Sequence, residues 1–523
     1  MPSPTQPRPW WESGTIYQIY PRSFYDTTGD GVGDLTGVIE KLDHVASLGV
    51  DAIWLSPIFP SPMADFGYDV ADYTDIDPLF GDLATFDRLL AEVHARGLKL
   101  ILDFVPNHSS DQHPWFRESR SSRDDPKRDW YIWHDPAPDG GPPNNWISDF
   151  GGSAWEWDAA TGQYYLHAFL KSQPDLNWRN PDLRAAMFDA MRFWLDRGVD
   201  GFRIDVLWHI VKAEGFPDNP PNSDWTPGKT ERDKVIQLYS TDQPEAHAIA
   251  AEMRALADSY GSRVLIGEIF LPNAAHARWY GTPQRPEVHL PFNFQLVENP
   301  WDADVLRLTI ADYAASLPSW GWPNWVFGSH DAARIAARIG KAQARVAALL
   351  LLTLRGTPTL YQGDEVGIGR VAIPPERIRD PQHFRQPSLN IGRDRSRTPM
   401  PWDKSAFAGF STTEPWLPLN PDWPERNVAA QSVDPSSMLS LYRRLLAIRR
   451  QTPALAIGDM KLLDAPSGML AYIRMQAGEL RTILLNLTDS PIAFDWQGDV
   501  LLSTLESPAN PGQLRPNEGL ILA

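Results

Sequence analysis

The sequence predicts an α/β protein: a (β/α)8 barrel with a subdomain inserted after its third strand and a small antiparallel β domain at its C-terminal end. Three observations carry this reading. Short apolar runs alternate with amphipathic stretches through most of the 523 residues, the pattern of a parallel sheet buried on both faces. The strand–helix unit occurs eight times, the number that closes a parallel barrel. Beyond residue 457 the pattern changes to that of antiparallel strands.

The predicted barrel strands run from Thr15 to Arg22, Ala52 to Pro57, Lys99 to Val105, Gly201 to Val206, Arg263 to Ile269, His289 to Leu296, Asn324 to His330 and Thr357 to Gln362. Helical spacing over Asp182 to Arg197 and Gln243 to Tyr260 precedes the fourth and fifth. About seventy residues rich in Trp, Pro, Asp and Gly separate strand three from the next helix. That is too long for an ordinary connection, so residues 107–177 are expected to form the inserted subdomain and 1–106 with 178–456 the barrel. A second long segment, roughly Asp364 to Asp434 and rich in Pro and Arg, follows strand eight and reads as a lid over the same face. Asp434-Pro435 predicts the start of the closing helix, with Met438, Leu441, Tyr442, Leu445 and Ile448 on one face. Strands over Met469 to Met475 and Leu480 to Leu487, joined at Ala477-Gly478, predict a β-sandwich over 457–523.

Composition excludes several functions. With no cysteine there is no disulfide, thiolate metal site or cysteine nucleophile. A formal charge of −18, with no basic run interleaved with aromatics, argues against nucleic acid as a partner. The absence of a long uncharged apolar run argues against a membrane partner, and the polar, Pro-rich start carries no secretory h-region, so a cytoplasmic enzyme is expected. Neither G-x-G-x-x-G nor Walker A spacing is present, nor a zinc or serine hydrolase motif. The 22 Trp are read as core before they are read as sugar platforms.

In a barrel of this kind, residues ending different strands converge on one mouth. Strand four ends Gly-Phe-Arg203-Ile-Asp205-Val, strand five ends Ile-Gly-Glu268, and strand seven runs into Gly-Ser-His330-Asp331. A helix cap or surface ion pair would explain any one of these carboxylates. It does not explain three strand ends together with Arg203, His108 and His330. Two facing carboxylates are what glycosidic cleavage needs, one to attack the anomeric carbon and one to protonate the leaving oxygen. Asp205 and Glu268 can fill those roles, with Arg203 keeping Asp205 ionised.

Six blocks stand in the order found in one family: Asp-Phe-Val-Pro-Asn-His, Gln-Pro-Asp-Leu-Asn-Trp, Gly-Phe-Arg-Ile-Asp, Ile-Gly-Glu, Ser-His-Asp and Arg-Gly-Thr-Pro-Thr-Leu-Tyr-Gln-Gly-Asp-Glu. Through them the sequence resembles the α-amylase superfamily of glycoside hydrolases, in its oligo-α-glucosidase branch. The resemblance implies a small α-glucoside as substrate, Asp205 as covalent nucleophile, Glu268 as acid/base and Asp331 as the carboxylate that grips the ring hydroxyls. It makes Arg203, His108 and His330 ligands of the same glucose. One departure is Ser329, where the family usually carries Asn, and altered hydrogen bonding is expected there.

The loops after strand two, with Asp65 and Tyr68, and around Gly-Arg-Asp-Arg-Ser-Arg397 resemble the α-glucosidase versions. The resemblance implies that Asp65 pairs with Arg397 and binds the terminal 4-hydroxyl, closing the pocket to all but chain ends, while Tyr68 stacks under the sugar. Val206, after the nucleophile, resembles members that accept α-1,6 links.

The chemistry itself needs no cofactor. In the first loop, Asp26, Thr28, Asp30, the Val32 carbonyl and Asp34 place oxygens at alternate positions on a Gly-rich turn, as Ca2+ or Mg2+ prefer; the resemblance points to the same structural cation, with Asn usual at Thr28. Two further readings stay open: a glucosyltransferase or isomerase such as a trehalose synthase, and a non-catalytic interaction protein of the same fold.

Overall fold

The computed structural model describes residues 8–507 and 511–523. The Met1-Pro-Ser-Pro start therefore lies outside the described residues.

Eight parallel strands form the central sheet. They are β1 (Ile16–Ile19), β2 (Ala52–Leu55), β3 (Lys99–Phe104), β4 (Gly201–Ile204), β5 (Val264–Glu268), β6 (Leu290–Phe292), β7 (Asn324–Val326) and β8 (Thr357–Tyr361). Each pairs with its sequence neighbour, β1 pairs with β8, and a bridge between Asn293 and Trp325 joins the β6 and β7 edges. Every residue of these strands but Lys99 is buried. That two-sided burial explains why they read as apolar runs rather than alternating ones. Gly201 opens β4 because a Cβ there would lie 2.1 Å from the Val264 carbonyl oxygen.

The strands are shorter than their apolar runs. Strand one stops at Ile19 and turns into a 3-10 segment at Pro21–Ser23, because proline cannot supply the next ladder N–H. The sixth ends at Phe292 and gives way to a short helix at Gln295–Glu298, and the seventh ends at Val326, before Ser-His-Asp. The helices before β4 and β5 are Pro181–Asp196, capped by Asn180, and Pro244–Ser259. The closing helix is corrected: it begins at Met438, with the Ser437 hydroxyl accepting from the Ser440 N–H. Asp434 instead folds back on Ser436 in a turn, so Pro435 lies outside the helix.

The segment after β3 holds a helix at Pro114–Ser121 and a three-stranded antiparallel sheet around Trp155–Asp158 and Gln163–Leu166. The segment after β8 consists of turns and short helices such as Pro381–Arg385. The C-terminal unit is a five-stranded antiparallel sheet accompanied by a two-stranded pair. Its hairpin turns at Ala477-Gly478, both at positive φ, the type I′ signature. Alternation sorts its side chains: Leu470 and Tyr472 join the core shared with the barrel helices. Met469 and Ala471 pack in a separate cluster with Ile492 and Phe494 of the two-stranded pair. Among the described residues no helix is long and apolar enough to cross a membrane.

Candidate active site

At the C-terminal mouth of the barrel lies a cavity of about 450 Å³, bordered by Asp65, Tyr68, His108, Asp205, Glu268, Asp331 and Arg393 among others. Such a volume suits one or two sugar rings. Its floor is organised by Arg203, which projects from β4 and is 1% exposed. Nη1 lies 2.6 Å from Asp205 Oδ1 and 2.9 Å from Asp103 Oδ1, and Nη2 lies 2.6 Å from Glu268 Oε1. One guanidinium thus joins the ends of β3, β4 and β5.

Three carboxylates around one cation cannot all ionise cheaply. Burial, reinforced by Glu268 and Asp103, pushes Asp205 well above the usual carboxylate range against the pull of Arg203. Asp103 is pushed up to about 6 by burial, again opposed by Arg203. Asp103 and Asp205 share one guanidinium and so titrate together rather than singly. Asp103 is a site residue that sequence reasoning passed over. Its Oδ1 holds Arg203, while its Oδ2 accepts from the Tyr68 hydroxyl at 3.0 Å and the Trp54 indole at 3.2 Å. The signal was present in the Asp-Phe-Val-Pro-Asn-His block, where only the His was singled out.

Glu268 is also held from the chain next to Asp205. Val206 has φ +33° and ψ +46°, a left-handed conformation that a β-branched residue adopts only under constraint. It directs the Val206 N–H to Glu268 Oε2 at 2.9 Å.

The two histidines differ. The Gln18 amide approaches His330 Nδ1 at 2.8 Å, leaving Nε2 without a hydrogen-bond partner, 3.3 Å from Asp331 Oδ2. With Gln18 donating to Nδ1, Nε2 carries the proton. The His330 ring lies parallel to Tyr68 at 5.2 Å. Burial lowers His330 to about 3, so the ring is neutral. His108 Nε2 instead meets the Tyr68 carbonyl and the Gln173 amide, each at 3.1 Å. Gln173, another residue not foreseen, also lies 3.5 Å from Asp65 Oδ2.

The expected pairing of Asp65 with Arg397 is corrected. Arg393 Nη2 lies 2.6 Å from Asp65 Oδ1 and 2.7 Å from Asp380 Oδ1, and Nη1 lies 3.3 Å from Asp331 Oδ1. Arg397 turns to Asp331, with Nη2 at 2.6 Å from Oδ1, and its Nε donates to the His330 carbonyl. The segment Gly-Arg-Asp-Arg-Ser-Arg offers three arginines at alternate positions, and spacing does not say which one faces Asp65. Burial pushes Asp331 up, but His330, Arg393 and Arg397 outweigh it and hold the carboxylate well below its usual range. Ser329, in place of the usual Asn, accepts the Asp331 backbone N–H at 3.2 Å through its hydroxyl.

The first loop is built around Asp26. Its Oδ1 accepts from the Thr28 and Gly29 N–H groups, and its Oδ2 from the Gly31 N–H and Ser411 hydroxyl. Asp30 accepts from the Val32 N–H, and Asp34 caps the following helix at Gly37 and also holds Thr27. The donor set with Thr28 and the Val32 carbonyl is all oxygen, the chemistry of a hard cation. Among the described residues no three acidic or imidazole side chains are gathered as one ligand group.

The α-amylase catalytic-domain family model matches residues 18–458. A probable α-glucosidase of Rhizobium meliloti is 42% identical, over 92% of this chain and 90% of the relative. An oligo-1,6-glucosidase of Heyndrickxia coagulans is 40% identical over 98% and 99%. The crystal structure of an α-glucosyl transfer enzyme, XgtA, superposes with TM-score 0.94 at 40% identity, covering 99% of this chain and all of the other. A barrel mouth with three carboxylates on one arginine, and a match over most of its length to that family, make this chain a member of the α-amylase family of glycoside hydrolases.

Proposed function

We propose that this chain is a retaining, exo-acting α-glucosidase that releases α-glucose from the non-reducing ends of short α-1,4- or α-1,6-glucosides. The observation that carries the reading is the closure of one end of the cavity. Arg393 ties Asp65, Asp380 and Asp331 together, and in this reading the group walls off the pocket beyond the 4-hydroxyl of a glucose seated beside Asp205.

In this reading Asp205 Oδ attacks the anomeric carbon while Glu268 gives its proton to the leaving oxygen, forming a covalent glucosyl-enzyme. Glu268 then takes a proton from water, which attacks the same carbon and frees Asp205. Two inversions return the α-anomer. That both carboxylates grip one guanidinium favours the short spacing of a retaining pair over the wider one that holds a water between them. Asp331 and His330 hold ring hydroxyls, His330 through its unpartnered Nε2, and Arg203 offsets the charge that returns to Asp205 and Glu268. His108 and Gln173 set the wall beside Asp65.

A second reading, glucosyl transfer to a sugar acceptor, draws support from the likeness to XgtA and shares every step up to the glucosyl-enzyme. In the first loop Asp26, Thr28, Asp30, the Val32 carbonyl and Asp34 would hold a structural Ca2+ or Mg2+ that takes no part in the chemistry and contributes to stability. Glucose release from maltose, isomaltose, sucrose, trehalose and soluble starch tests the main reading. Release from disaccharides supports it; release from starch alone contradicts the closed pocket.

A further inference from the structure

Asp69 lies one residue beyond Tyr68 in the loop that follows β2, and its side chain is fully buried. Its carboxylate grips main chain rather than a cation. Oδ2 accepts the Ala64 N–H at 2.8 Å, and Oδ1 accepts the Asp65 N–H at 2.9 Å. The charge that acts on it most strongly is the like charge of Asp65. Burial pushes the carboxyl up to about 6, against the pull of those two N–H groups and the Ser61 hydroxyl. A buried carboxylate is costly unless hydrogen bonds satisfy it, and both main-chain donors come from the peptides at Ala64 and Asp65.

The loop these bonds hold is under constraint. The Ala71 N–H donates to the Pro60 carbonyl at 2.7 Å and closes the loop at its base. Inside it, Met63 (φ +63°) and Phe66 (φ +50°) are left-handed although neither is glycine, a conformation that persists only where the surroundings fix it. Ala64 and Asp65 are the two residues between them. Asp69 therefore pins the stretch that joins the two strained positions.

Asp side chains commonly bond an N–H a residue or two ahead to start a turn. Asp69 reaches four and five residues back instead, onto the peptide of the residue whose carboxylate meets Arg393 at 2.6 Å. Its chain neighbour Tyr68 donates to Asp103 and lies parallel to His330. Asp69 is not among the residues that border the cavity, so any effect it has on a sugar passes through a neighbour. Resting on the α-glucosidase reading above, we propose that Asp69 is a positioning residue for Asp65: by fixing the Asp65 main chain, it holds the carboxylate that closes the pocket where a terminal glucose meets it.

The test measures KM for isomaltose and maltose in the wild type, Asp69→Asn, Asp65→Asn and the double variant. KM does not depend on how much of a preparation is folded, so a variant of low yield reports as well as a stable one. Asp69→Asn keeps the size of the side chain but offers one acceptor oxygen in place of two. It is expected to raise KM by about tenfold, the worth of about one hydrogen bond, while kcat changes by less than about threefold. Asp69→Ser, a smaller side chain with one acceptor, is the second variant and should shift KM in the same direction. In the Asp65→Asn background, where the positioned carboxylate is gone, Asp69→Asn is expected to change KM by less than about twofold. An equal rise in both backgrounds overturns the proposal and assigns Asp69 to the loop's stability alone, as does an unchanged KM in both single Asp69 variants. Wild-type protein that releases glucose from neither disaccharide contradicts the α-glucosidase reading itself, and this inference with it.

Discussion

Arg393, and not Arg397, is the guanidinium that reaches Asp65, with 2.6 Å between Nη2 and Oδ1. The same side chain holds Asp380 and approaches Asp331, so one residue of the lid fastens the strand-two loop to the end of β7. Burial pushes Asp65 up, opposed by Arg393 and Arg397.

Removing Arg393 leaves two buried carboxylates without their partner, a loss of about 3–5 kcal/mol. Arg393→Ala is expected to lower kcat/KM on disaccharides by at least about 100-fold while raising the relative rate on longer glucans. Arg397→Ala removes the contact to Asp331 and leaves Asp65 paired, so the chain-length preference should persist. Rates on maltose, maltotriose and longer oligomers separate the two.

Asp103 repels Asp205 through the guanidinium they share. In Asp103→Asn that repulsion is gone, Asp205 ionises at lower pH, and the acid limb of the kcat/KM profile should move down by about 0.5–1 pH unit. Asn can keep its oxygen on Arg203 and turn its NH2 to the Tyr68 hydroxyl oxygen, so a polar contact to the wall of the pocket is kept. A limb that stays in place or moves up contradicts the shared-cluster account.

Strain at Val206 gives a third expectation. Val206→Gly relaxes the positive φ and should leave stability unchanged or raise it by about 1 kcal/mol. The same change loosens the N–H that fixes Glu268, so kcat should fall by about tenfold or more. Urea unfolding and initial rates measured on one preparation check both.

His247 links stability to pH on the alkaline side. Burial opposes its protonation, but Asp242 and Glu287 outweigh it and raise the ring to about 9. Glu287 Oε2 lies 2.7 Å from Nδ1. A folded value above the unfolded one, near 6.5, means that this stabilisation is complete below 6.5 and is lost as pH rises through 9. Its size is about 3 kcal/mol. His247→Gln should flatten the decline in melting temperature between pH 6.5 and 9.

The barrel was legible because its strands are buried on both faces and read as apolar runs. Their ends were not: Ile19 and Val326 close strands where the run continues in sequence, because turn geometry rather than hydropathy stops them. Asp205, Glu268 and Asp331 were legible as strand ends meeting at one mouth. Which arginine of Arg393, Arg395 and Arg397 faces Asp65 was not, since that depends on the path of a lid with little regular structure. Asp103 points into the barrel from inside β3, where a lone carboxylate in an apolar run reads equally as the strand's end.

The most direct test of the central claim is the anomer first released from isomaltose or maltose, followed by proton NMR before mutarotation, beside an Asp205→Asn control. A retaining mechanism on Asp205 predicts α-glucose first and none from the control. β-Glucose, or an Asp205→Asn protein with undiminished activity, would contradict the assignment of the nucleophile.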